Sequence, residues 1–426
     1  MKVDLAYGKK GLKIDLPANV HIDVVDPRFV PGIKKPMSAI THALQNPVEH
    51  SSLKEITDPD TYIAIVFSDI TRATPYHTIL PPLLKELNHI PDSHILFFCA
   101  AGTHREASKE ELTGILGRDI VERFRIIQNN SADKSQFRLA GTSKAGNEIW
   151  LNAELMNSDL VILTGFIKPH FFAGFSGGGK AVMPGMAYDS SIRNNHSIAN
   201  LSDMNARWGI TKGNPVWEEI MEAAVMGPPV FLLNITLNRN KEITGVFAGD
   251  LHAAHEQGCR FAKDTAMAPV GQSYDLVISS NSGYPLDLNV YQTVKGMSCA
   301  SQVVKEGGHI IMAAECSDGI PSGGDYERIL SSVSHPDELM NYIVKYEKDL
   351  KDTWQLYFQA LILKKSEVYL YSDKLENSVI KKALLKPVDN ISAQVDGIIK
   401  DRGSSLKICV LPEGPQTIPY INDKHK

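Results

Sequence analysis

Eight short apolar runs, rich in β-branched and aromatic residues, recur along the chain with helix-like stretches between them. They are Tyr62 to Phe67, His94 to Cys99, Leu160 to Leu163, Val230 to Ile235, Leu276 to Ser279, His309 to Ala313, Val368 to Tyr371 and Leu406 to Leu411. Most are continuous rather than alternating, the pattern of strands buried on both faces. Thr78 to Asn88 sets Ile79, Leu80, Leu83, Leu84 and Leu87 on one helical face, although Pro81 and Pro82 suit only a helix's first turn. Trp217 to Val225, Ala253 to Ala266 and Asp337 to Asp349 read as further helices. Strands alternating with helices predict an α/β fold with largely parallel sheets. A chain of 426 residues has room for two or three domains. Pro269 and Gly271 break a helical stretch, which puts a boundary near Ala268 to Gly271. The expectation is two α/β domains, 1–268 and 269–426, with an active-site cleft between them. The end segment 406–426 is a candidate to pair back with the first domain. Tyr7-Gly8-Lys9-Lys10-Gly11 separates two short alternating segments and predicts a β-hairpin.

Forty-four basic against forty-nine acidic residues give a net charge of −5 with histidine neutral. Binding to a nucleic-acid backbone needs clustered Lys and Arg, so this balance argues against a polyanion partner. A small anion held at one local positive site is still allowed. No stretch reaches the roughly 18 to 20 apolar residues of a membrane span, and Met1 to Pro17 has no apolar core of a secretory signal. Cys99, Cys259, Cys299, Cys316 and Cys409 form no C-x-x-C pair. The expectation is a cytoplasmic chain with buried, reduced thiols and no membrane partner.

Ligands of open α/β sheets collect beyond the carboxyl ends of the strands. Three such ends here are polar: Ser68-Asp69-Ile70-Thr71-Arg72-Ala73-Thr74, Ala101-Gly102-Thr103-His104-Arg105-Glu106, and Thr164-Gly165-Phe166-Ile167-Lys168-Pro169-His170. Each alone reads better as a polar strand-to-helix turn, with Asp69 or Thr74 as a helix cap. Three together, adding Arg or His at one edge, point to a site. Next comes Pro169-His170-Phe171-Phe172-Ala173-Gly174-Phe175-Ser176-Gly177-Gly178-Gly179-Lys180-Ala181-Val182-Met183-Pro184-Gly185. Its glycines allow backbone N–H groups to approach a phosphate. Gly174 to Lys180 fits the first seven positions of G-x-x-x-x-G-K-[ST], the signature of a nucleotide hydrolase. Against that reading, Ala181 stands where the magnesium-binding Ser or Thr belongs, and Pro184 would fall inside the helix that must follow. His196, in Arg193-Asn194-Asn195-His196-Ser197, carries no signal by itself. His252 and His255 lie three apart on an expected helix without a third ligand and read as a solvated face. Gln292 and Lys295, three apart, would share a helix side and could grip a carboxylate.

In combination and order these blocks resemble the nickel-pincer-dependent lactate racemases. The resemblance rests on Ser68 to Arg72, Gly102 to Arg105, Pro169 to Gly178 and Asn195-His196, and extends from the Tyr7-Gly8 hairpin to Lys295. It implies an isomerase, a racemase of short 2-hydroxy acids with lactate foremost and malate or a longer acid as the alternative. It also implies a nickel-pincer nucleotide, a pyridinium-3-thioamide-5-thiocarboxylic acid mononucleotide carrying Ni(II), made by separate cofactor-synthesis enzymes and attached covalently through Lys180. His196 matches the nickel ligand, an N-donor suited to a square plane. His104 and His170 match the catalytic pair. Arg72, Tyr291, Gln292 and Lys295 match the substrate carboxylate contacts. Asp69, Ser176, Gly177 and Gly178 fall with the cofactor contacts, and Trp354 is either a pocket wall or a core aromatic. The implied chemistry removes a hydride from the substrate carbon while a base takes the hydroxyl proton, and returns both to either face.

Overall fold

The structure is a computed structural model that describes residues 1–322, 324–347, 350 and 353–422. Asp349, the expected end of the helix that starts at Asp337, lies outside the described residues. The chain forms two units, residues 29–264 and residues 1–28 with 265–426.

In chain order the first strands are β1 (Lys2–Leu5), β2 (Leu12–Asp15), β3 (His21–Val24), β4 (Ile63–Ser68), β5 (Ile95–Ala100), β6 (Arg125–Gln128), β7 (Phe137–Thr142) and β8 (Glu148–Asn152). They are followed by β9 (Leu160–Phe166), β10 (Pro169–His170), β11 (Gly174–Phe175), β12 (Val230–Leu237) and β13 (Ile243–Gly249). The last are β14 (Met267–Val270), β15 (Tyr274–Ser280), β16 (Val304–Ala313), β17 (Ser366–Tyr371), β18 (Lys386–Val388), β19 (Lys407–Leu411) and β20 (Ile418–Ile421). The helices that matter below are α1 (Tyr76–Glu86), α2 (Asp189–Asn195), α3 (Pro215–Ala224), α4 (Leu251–Ala266), α5 (Val290–Ser301) and α6 (Thr353–Lys365).

Within 29–264 the main sheet runs β13-β12-β9-β4-β5-β6, parallel except for the β12–β13 edge pair. Ile63 to Phe67 are fully buried, as a continuous apolar run requires when both sheet faces are covered. Phe67, Phe97, Ile162 and Leu233 join Tyr76, Ile79 and Leu83 of α1 in one cluster. Truncating Phe97 to Ala would cost about 3–5 kcal/mol through lost burial and the cavity left behind. α1 begins at Tyr76, so Pro81 and Pro82 sit inside the helix rather than in its first turn. Two backbone bonds are forfeited there, and burial of Tyr76, Ile79, Leu80 and Leu83 compensates.

In the other unit the sheet runs β18-β17-β16-β15-β19-β3, all parallel. Tyr7 to Gly11 do form a hairpin turn, with Lys2 opposite Asp15 and Leu5 opposite Leu12. The division of the chain differs from the expected 1–268 and 269–426. Residues 1–28 belong with the C-terminal part, because β3 pairs with β19 (His21 with Lys407, Val24 with Val410). Val3, Leu5, Tyr7 and Ile14 also share a core with Leu276, Ile311 and Val410. The second crossing falls in the last turn of α4, at 264–265, instead of at Ala268 to Gly271. All five cysteines are buried free thiols. Among the described residues no helix is long and apolar enough to cross a membrane.

Candidate active site

The chain leaves the central strand β4 for β5 and β6 on one side and for β9 and β12 on the other, so β4 and β9 bracket a topological switch point. Val66 stands opposite Leu163 in this parallel pair. Beyond it the chain turns, the Arg72 N–H donating back to the Asp69 carbonyl at 3.1 Å. The loops after β4, β5 and β9 are the three polar ends singled out in the sequence.

Asp69 and His104 meet at 2.5 Å, Oδ2 to Nδ1. Thr71 Oγ1 donates to the other carboxylate oxygen at 2.8 Å. Asp69 is buried, and His104 is partly open to solvent. Burial alone would raise the Asp69 pKa. The bond and charge of His104, the Arg72 guanidinium and Thr71 outweigh it and hold the carboxyl below its usual range. An ionised Asp69 accepts from Nδ1–H, which fixes the tautomer of His104 and leaves Nε2 with a lone pair.

A second group gathers on the ring of Phe172. His170 meets it edge-on at 4.6 Å, His196 edge-on at 4.9 Å, and Lys180 Nζ lies 5.6 Å from its centroid. His170 also stacks on Phe171 at 5.0 Å, and its Nδ1 accepts the Ala173 N–H at 3.3 Å. Both imidazoles are buried. Burial first, then the Lys180 charge, holds His196 well below the usual histidine pKa, so its ring is neutral. Lys180 is half-buried, and burial followed by the Arg72 charge lowers its ammonium to about 7. The Arg72 charge acts on both Asp69 and Lys180.

The glycine segment is neither linker nor phosphate loop. Gly178–Ala181 form a single 3-10 turn, and the next α-helix starts only at Asp189. The Ser176 hydroxyl donates to the Phe166 carbonyl (3.0 Å) and accepts the Lys168 N–H (3.1 Å), while Ser176 N–H donates to the Lys168 carbonyl (2.8 Å). Gly178 N–H donates to Asn234 Oδ1 at 2.8 Å. Ser176 and Gly178 therefore hold the loop's own shape. Gly177 and Gly178 adopt φ +76° and +55°, and a Cβ there would lie 2.4 Å from Asn234 Oδ1 and 2.7 Å from the His255 ring. His255 corrects the reading of a solvated face: it is buried, and its Nε2 meets the Ser176 carbonyl at 3.0 Å, whereas His252 is exposed.

Support continues behind His196, which caps the C-terminus of α2. Asn195 Nδ2 donates to Glu219 Oε2 of α3 at 2.9 Å, and Ser143 and Asn147 donate to Glu219 Oε1 at 2.6 and 2.7 Å. The sequence reading missed Lys168, Glu219, Asn234 and His255. Asn234, a polar residue inside the apolar run of β12, is the one with a visible signal. Lys168 is half-buried with its Nζ 5.7 Å from the Phe166 ring. Burial, then Arg72, lowers it to about 7, and no carboxylate pairs with it among the described residues.

In the other unit, α5 sets Gln292 and Lys295 on one side as their spacing predicts, and Lys295 Nζ donates to Gln292 Oε1 at 2.6 Å. Trp354 of α6 is buried, and its indole N–H donates to the Tyr291 hydroxyl at 3.1 Å. Tyr291 packs edge-on against Tyr326 at 5.2 Å.

A covalently tethered metallonucleotide needs an amine able to lose its proton and a neutral imidazole close to it. Lys180 and His196 meet both needs and share one neighbour, Phe172. Among the described residues no three His, Cys, Asp or Glu side chains form a metal cage. His196 would thus be a single protein donor to a metal whose remaining ligands come with the group.

Residues 7–209 match the family model of the lactate racemase N-terminal domain, and residues 270–418 that of the lactate racemase C-terminal domain. The chain is 33% identical over 422 residues to a lactate racemase of Thermoanaerobacterium thermosaccharolyticum, covering 98% of each. It is 36% identical over 378 residues to a lactate racemase of Lactiplantibacillus plantarum, covering 88% of this chain and 89% of that one. The solved apoprotein of the Thermoanaerobacterium enzyme superposes with a TM-score of 0.92 at 32% identity, covering 98% of this chain and all of that one.

Proposed function

Since this chain belongs to the lactate racemase family, we propose that it interconverts the enantiomers of a short 2-hydroxy acid, lactate foremost, on a nickel-pincer nucleotide bound through Lys180. The observation that carries the reading is the ring of Phe172, against which His170, His196 and Lys180 converge. Two relatives named as lactate racemases, each at least 33% identical, support the substrate.

When bound, the nickel pyridinium supplies a reversible hydride acceptor, which a carbon with no strong activating group needs. The side chains supply the rest. Lys180 would hold the group covalently, and His196 would give its nickel a nitrogen donor. Asp69 aims His104, whose Nε2 takes the hydroxyl proton of one enantiomer. His170 serves the hydroxyl of the other. Each returns a proton when the acid reforms with the opposite configuration. Arg72 would hold the substrate carboxylate, and Lys295, with Gln292 and Tyr291 beside it, is the carboxylate contact that the family resemblance implies in the other unit. Trp354 fixes the Tyr291 hydroxyl by a hydrogen bond.

The test is the intact mass of protein matured alongside cofactor-building enzymes. The reading expects one covalent adduct, lost in Lys180→Ala. His104→Ala and His170→Ala should keep the adduct and lose racemisation. An unmodified Lys180 in an active preparation would overturn the tether, and wild-type turnover in either histidine variant would overturn the two-base scheme.

A further inference from the structure

The ring of Tyr76 lies in the core of the unit 29–264 and meets Phe67 edge-on at 5.9 Å. A phenylalanine would fill that space as well. Packing does not explain the hydroxyl, because burying one is costly unless it is hydrogen-bonded. Both of its bonds go to Ser68, at the end of β4. Tyr76 Oη accepts the Ser68 N–H at 2.6 Å and donates to Ser68 Oγ at 3.1 Å. Burial raises the phenol's pKa, so it keeps the proton that it donates. The hydroxyl meets β4 just past Val66 opposite Leu163, where pairing with β9 has stopped. Ser68 immediately precedes Asp69. On the other side, the Arg72 N–H holds the Asp69 carbonyl at 3.1 Å, and Thr71 Oγ1 holds its carboxylate at 2.8 Å.

We propose that Tyr76 is a positioning residue for the base His104: by holding Ser68 through both backbone and side chain, its hydroxyl sets the direction in which the Asp69 carboxylate meets His104 Nδ1. This rests on the reading of His104 as a base and adds a residue to it. The Asp69–His104 contact is 2.5 Å long, and a hydrogen bond weakens steeply when it is bent. A strand end freed at Ser68 lets the carboxylate swing. The His104 ring then samples the tautomer in which Nδ1 is bare. In that tautomer Nε2 already carries a proton and cannot take one from the substrate hydroxyl.

The experiment uses Tyr76→Phe, which keeps the ring and removes the hydroxyl. In cofactor-free protein with isotope-labelled histidine at alkaline pH, the nitrogen chemical shift of His104 Nδ1 reads how much of the ring is protonated there. The signal is assigned by its loss in His104→Ala. Wild type should carry the proton on Nδ1, and Tyr76→Phe should move the shift toward that of Asp69→Asn. In cofactor-loaded protein, Tyr76→Phe should lower kcat for lactate about three- to tenfold per Lys180 adduct, as expected of one lost hydrogen bond, with KM changed less than about twofold. In an Asp69→Asn background the same replacement should cost less than about twofold. An unmoved His104 shift overturns the inference, whatever the activity. An undiminished kcat loss in the Asp69→Asn background also overturns it, by showing a merely structural tyrosine. If loaded wild type racemises nothing, the racemase reading fails, while the nitrogen shift still decides whether Tyr76 aims Asp69.

Discussion

Replacing Asp69 with Asn keeps the side chain's outline and removes its charge. In the native site the carboxylate accepts from His104 Nδ1 at 2.5 Å, and it is worth most when His104 carries the extra proton taken from substrate. A hydrogen bond to a charged partner contributes about 1.5–3 kcal/mol. The His104 side chain is 39% exposed, so solvent screens part of this and the lower half of the range applies. At 1.36 kcal/mol per tenfold, about 1.5–2 kcal/mol predicts a 10- to 30-fold fall in kcat. The Asn amide adds to this by favouring the wrong tautomer of His104. The assay follows conversion of one lactate enantiomer by chiral chromatography, with the Lys180 adduct quantified by intact mass in the same sample. In a His104→Ala background Asp69→Asn should change the residual rate less than about twofold, because its effect passes through the imidazole. A wild-type kcat, or the full loss repeated in that background, would refute the positioning role. A fall in adduct instead of kcat would return Asp69 to the cofactor contacts.

Gly178→Ala should cost about 1–3 kcal/mol, from φ +55° and a Cβ 2.7 Å from the His255 ring. Urea unfolding measures it, and adding His255→Ala should recover the steric part. Glu219→Ala should lower stability by about 2–4 kcal/mol by stripping the acceptor from Ser143, Asn147 and Asn195. It should also lower nickel content per Lys180 adduct, with Glu219→Gln intermediate in both. Lys168 titrates near 7 folded but near about 10.4 unfolded. Between those values the unfolded chain binds more protons, so unfolding free energy rises with pH above about 7. Lys168→Met should flatten that rise in cofactor-free protein, and an unchanged slope would contradict the burial and repulsion assigned to it.

The central strands were legible because Tyr62 to Phe67 and His94 to Cys99 are continuous apolar runs that only a doubly covered sheet can hide. The polar ends of those strands were legible for the same reason: polarity begins abruptly where β4, β5 and β9 stop. Which sheet a strand joins was not legible. β3 is four residues whose partner, β19, lies nearly four hundred positions away, and no local pattern encodes that pairing. Pro81 and Pro82 misled because the apolar face of α1 outweighs its lost hydrogen bonds. His255 looked solvated because spacing alone does not reveal which helix face the glycine loop covers. Lys168 was passed over since a lone lysine in a loop is ordinarily exposed. Its burial comes from the fold around it, which no local spacing encodes.

The most direct measurement incubates cofactor-loaded protein with enantiopure L-lactate and resolves the two enantiomers over time. Approach to an equal mixture, abolished by His104→Ala and by His170→Ala, is the predicted result. A single enantiomer persisting in protein whose Lys180 adduct has been verified would contradict the account.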